Sequence, residues 1–99
     1  MSRWPDVATQ LAGALEASGP AVAVERHETI GWASATFAGA RHRVTIEACA
    51  TPGLDRWLAA LPEAEFALRG HLVADLAVAS VEQRDGRATA VIEALTVED

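Results

Sequence analysis

The chain has 99 residues, 51% of them hydrophobic and 22% charged, with a formal net charge of −6. That balance excludes a disordered chain, leads one to expect a single domain over residues 1–99, and argues against a nucleic-acid partner, whose phosphates require a basic patch. A chain of this size buries roughly 65% of its unfolded surface, enough for one core but not for a deep catalytic cavity as well.

All eight basic residues are arginine, and they are scattered; only Arg41 and Arg43 stand close together. The single cysteine, Cys49, excludes an internal disulfide and fits a reducing compartment. The longest uncharged run, residues 29–40, is too short to span a bilayer, and no basic segment followed by an apolar one opens the chain. A cytoplasmic protein without membrane attachment is therefore expected.

In chain order, residues 5–18 read as a helix. Pro5 suits a first turn, Val7, Leu11 and Leu15 share one face, and Gly19 followed by Pro20 stops it, with Gly19 expected in a left-handed cap. Strands are expected at 21–28, 31–38 and 41–49. A second helix, 52–61, opens with Thr51 as cap and Pro52 in the first position. Its Leu54, Trp57, Leu58 and Leu61 form an apolar stripe, and Pro62 ends it.

The run 65–82 alternates like a strand. Phe66, Leu68, Leu72, Ala74, Leu76 and Val78 are expected on one face, and Arg69, His71 and Asp75 on the other. Eighteen residues are too long for one strand, so a bend or break is expected at Gly70. A last strand covers 88–97. Gln83-Arg84-Asp85-Gly86 reads as a type I turn with a glycine bulge, a register that places Val78 opposite Ile92 and Leu76 opposite Ala94. A two-residue Asp85-Gly86 loop is set aside, because it would pair Glu93 with Val78 and bury the carboxylate. By the same logic Val44, Ile46 and Ala48 are expected inside, with Arg43, Thr45 and Glu47 outside.

The two halves, about 1–50 and 51–99, echo one another. Pro5, Leu11, Ala12, Glu16 and Ala17 match Pro52, Leu58, Ala59, Glu63 and Ala64, and Arg41…Ile46-Glu47-Ala48 matches Arg87…Ile92-Glu93-Ala94. Duplication and convergence under an alanine-rich composition both account for this. The fold expected is α+β, a two-layer antiparallel sheet with two helices, each half ordered helix–strand–strand–strand.

The sheet face that carries Val73, Val91, Leu95 and Val97 has two possible environments. It is core if one helix lies on each side of the sheet. If both helices share the opposite side, the face is open and marks an interface, and a homodimer is expected.

No catalytic residue, metal site or cofactor signature stands out. His27 and His42, set among charges, read as solvated, and Cys49 has no histidine at a nucleophile-activating spacing. The function expected is a non-enzymatic interaction module that homodimerises through its sheet face. The alternative is a small-ligand binder or minor enzyme with a shallow pocket near Trp32 and the His71/Asp75 pair, where an indole could stack a ligand.

Overall fold

The structure is a computed structural model that describes residues 6–99; the expected role of Pro5 lies outside them. Helix α1 (Val7–Ser18) begins at Asp6, whose Oδ1 accepts from the Thr9 amide at 2.9 Å. It leads to strands β1 (Val22–Ala33) and β2 (Ala38–Cys49). Helix α2 (Pro52–Ala60) is capped by Thr51, which accepts from the Leu54 amide at 3.0 Å, and a 3₁₀ turn (Leu61–Glu63) closes it. Strands β3 (His71–Arg84) and β4 (Arg87–Glu98) follow. Among the described residues no helix is long and apolar enough to cross a membrane.

The protein is α+β, two helices and a four-stranded antiparallel sheet in the order β1-β2-β4-β3. The order helix–strand–strand occurs twice. Thr45 pairs with Val91, and these positions stand at the same sequence offset as Arg41 and Arg87 or Ile46 and Ile92. Each half thus supplies one central strand and one edge strand. The third strand expected in each half is not formed. The expected strand 21–28 runs on to Ala33 as the single strand β1, residues 34–37 form the turn into β2, and 66–70 make only an isolated bridge, Leu68 to His71. Gly70, at φ 78, breaks the run where expected.

The β3–β4 hairpin corrects the turn reading. Arg84 pairs with Arg87, leaving the two-residue loop Asp85-Gly86, both at positive φ (53 and 76), as in a type I′ turn. The carboxylate of Glu93 nevertheless stays outside, because β3 is bulged at Ala79 and again at Ala74. The first bulge absorbs the one-residue slip, so that Val78 still opposes Ile92 and Leu76 still opposes Ala94. The second reverses the faces beyond it. Val73 opposes Thr96 and packs against the core, while Leu72 turns outward beside Val97. Val73 therefore leaves the expected interface set.

Both helices lie on one face. Leu11 and Leu15 of α1, Leu54 and Leu58 of α2, and Leu61 meet Val44, Ile46, Ala48, Ala88, Ala90, Ile92 and Ala94 of the central strands. The alanines of β4 leave the depth that the helix leucines fill, each buried leucine contributing about 2 kcal/mol. Trp57 is half-buried and bridges the helices, its Nε1 donating to Ser18 Oγ at 3.3 Å. Gly19 is extended (φ −99) rather than left-handed. Its lack of a side chain serves contact instead, since a Cβ there would stand 2.8 Å from the Trp57 ring.

Candidate functional site

With both helices on one side, the other face of the sheet has no helical cover among the described residues. Pairing fixes its rows. Trp32, Gly39, Val97 and Leu72 form one row across the four strands. The next holds Ile30, Arg41, Leu95 and Asp75, then Glu28, Arg43, Glu93 and Ala77, then Arg26, Thr45, Val91 and Ser80. Ile30 is 69% and Leu72 57% exposed, and Val91, Leu95 and Val97 are half-buried. Charges of both signs lie across the face, with Arg26 and Glu28 paired on β1. Arg41 and Arg43 stand on β2, whereas Glu93 and Asp75 stand on β4 and β3, and Arg43 reaches Glu93 at 4.0 Å.

Trp32 packs against Gly39, its partner on β2. A Cβ on Gly39 would meet the indole at 2.9 Å and the Thr96 carbonyl at 2.0 Å, so only glycine fits between them. At the far end of the face Arg87 holds Glu47 Oε1 through Nη2 (2.6 Å) and Nε (2.9 Å) and reaches Cys49 Sγ at 3.3 Å. Glu25, at the β1 bulge, shares a hydrogen bond with Glu47, and this neighbouring carboxylate raises the Glu25 pKa while Glu47 is lowered by that bond and by Arg87.

Trp32, His71 and Asp75 do not converge. The bulge at Ala74 puts His71 on the helix side and Asp75 on the open side. Trp32 and Asp75 share the open face but occupy opposite edge strands, about 14 Å apart at ordinary strand spacing. Asp75 lines a shallow depression of about 250 Å³ with Arg41, Glu93 and Leu95, without Trp32 or His71.

A second assembly was not anticipated. His42 is 3% exposed, on the helix side of β2 with Val44 and Ile46, and is not the solvated residue its charged neighbours implied. Its Nε2 lies 3.0 Å from Thr96 Oγ1, and its Nδ1 lies 3.1 Å from His27 Nε2 and 3.2 Å from Thr29 Oγ1. Thr96 Oγ1 donates to the Ala40 carbonyl at 3.3 Å, so it accepts from His42. The neutral His42 ring therefore carries its proton on Nε2 and accepts at Nδ1. The His27 and His42 ring centres are 5.2 Å apart and tilted by 60°. His71 is near enough to act on His42 electrostatically, and among the described residues its buried Nδ1 has no hydrogen-bond partner. Burial, then His27 and His71, lowers the His42 pKa to about 4, and burial lowers that of His27 as well. Among the described residues no three metal-capable side chains are placed to hold an ion.

The fold and these two faces define the class: a helix-backed, open-faced antiparallel sheet with a polar histidine cluster under its helices. No protein-family model, curated protein or solved structure matches the chain.

Proposed function

We propose that the chain is a small, non-enzymatic assembly module that forms a homodimer by stacking its open sheet face on that of a second copy. The observation that carries this reading is the face that the described residues leave without helical cover, apolar at Trp32, Ile30, Leu72, Leu95 and Val97 and with Arg41 and Arg43 on β2 set against Glu93 on β4 and Asp75 on β3. A twofold axis along the strands would set β2 of one copy over β4 of the other. Arg43 then meets Glu93, and Trp32 meets Leu72, at two symmetry-related places.

The area is adequate. Four strands of about twelve residues cover roughly 700 Å² per chain, or about 1,400 Å² for the pair, against roughly 1,200–2,000 Å² for stable interfaces. The net charge of −6 supports a protein partner over a nucleic acid, and the unpaired Cys49 supports a cytoplasmic setting.

The reading is tested by charge. Leu95→Arg is expected to give a folded monomer, and Arg43→Glu likewise, because the new glutamate would face Glu93 of the second copy. Adding Glu93→Arg to Arg43→Glu restores complementarity and is expected to restore the dimer. Unchanged mass in all three variants would contradict the proposal.

A further inference from the structure

The histidine cluster is independent of the open face, lying on the other side of the sheet. It joins β1, β2 and β4 through side chains alone: His27 and Thr29 from β1, His42 from β2, Thr96 from β4. Above it, Asp6 at the start of α1 lines with Thr9, Gly13, Glu16 and His27 a groove of about 510 Å³. Glu16 is engaged there, its Oε2 accepting from the Val24 amide of β1 at 3.2 Å.

The proton count of the cluster is limited. With both rings neutral, His42 Nδ1 accepts one hydrogen from His27 Nε2 or Thr29 Oγ1. One extra proton can be accommodated, because a doubly protonated His27 still donates through Nε2 and has the Asp6 carboxylate as its nearby anion. A second extra proton cannot. It would belong on His42 Nδ1, and the N–H donors of buried His42 and half-buried His27 would then face each other across 3.1 Å.

We propose that His27, His42, Thr29 and Thr96 form an acid-sensitive lock that holds the β1 edge, and with it α1 through the Glu16–Val24 hydrogen bond, on the central strands while the two rings carry at most one extra proton, and lets this corner go when both are charged. The charged or titratable groups acting on His42 are His27 on β1, His71 on β3 and Asp6 at α1, and only Asp6 favours protonation. β4 presents the uncharged Thr96, with Glu98 opposite His71 at the sheet end. The cluster is thus built to lose its contacts on mild acidification rather than to gain them.

The experiment combines melting curves from pH 7.5 to 4.5 with histidine ring titrations by NMR on the full chain. The wild type is expected to lose about 10 °C between pH 7 and pH 5. His27 is expected to take up a proton before His42, with β1 and α1 resonances broadening first. His42→Gln keeps a donor for Thr96 and an acceptor for His27 without titrating, and is expected to flatten the pH dependence. Should that variant fail to fold, His27→Gln, which does not titrate and whose amide oxygen can accept from a protonated His42 Nδ1, is expected to flatten it as well. Asp6→Asn retains the helix cap and is expected to shift the His27 titration to lower pH. An ordinary His42 titration near 6.5 in the folded chain, or equal acid sensitivity in wild type and His27→Gln, would overturn the proposal.

Discussion

Gly39 and Gly13 are the same residue under opposite demands. A Cβ on Gly39 would be driven into the Thr96 backbone oxygen, which no rotamer change relieves, whereas Gly13 on α1 has nothing within 4 Å. Gly39→Ala is expected to cost about 3 kcal/mol, and Gly13→Ala to stabilise by about 1 kcal/mol; urea titrations of the two variants check both signs. His42 gives the residue-scale pH prediction. Its folded pKa lies below the ordinary histidine value, so the folded state binds fewer protons than the unfolded one. The contribution is complete above pH 6.5 and is lost as the pH falls toward 4, amounting at full loss to about 3 kcal/mol. Burial of His42 was legible in the sequence, since it shares parity with Val44, Ile46 and Ala48. The flanking Arg41 and Arg43 masked that parity. The partnership with His27 was not legible, because it depends on β1 running unbroken to Ala33 and turning back at 34–37, where two separate strands, 21–28 and 31–38, were expected.

At the scale of elements, the bulges decide which side chains meet. The alternation of β4 and of β2 could be read directly, and so could the α2 stripe and its Thr51-Pro52 start. β3 could not. It spends fourteen residues opposite the twelve of β4, and Ala74 and Ala79 have nothing in their side chains to mark them as the unpaired positions. His71 and Asp75, four apart, would share a face in a regular strand, and the bulge between them separates them. Deleting Ala79, the residue left over opposite β4, leaves Val78 opposite Ile92 and Leu76 opposite Ala94, and is expected to preserve the cooperative melt. Leu58→Ala, beneath a helix of nine residues that is marginal alone, is expected to cost about 3 kcal/mol in chemical denaturation.

At the scale of the molecule, two short helices suffice to cover one side of the sheet and leave the other bare. The sequence offered both arrangements, because the open face mixes valine and leucine with arginine and glutamate and hydrophobicity alone does not say what lies above it. The strand order β1-β2-β4-β3 and the shared helix side settle where the helices pack, and the bulged edges β1 and β3 discourage edge-to-edge growth. In the proposed dimer, stacking of open faces with β2 over β4 would set Trp32 over Leu72 and Arg43 over Glu93. Light scattering on the wild-type chain at micromolar concentration and neutral pH tests this most directly. Our account predicts a mass of twice 10.4 kDa, and a mass of 10.4 kDa that persists as the concentration rises would contradict it.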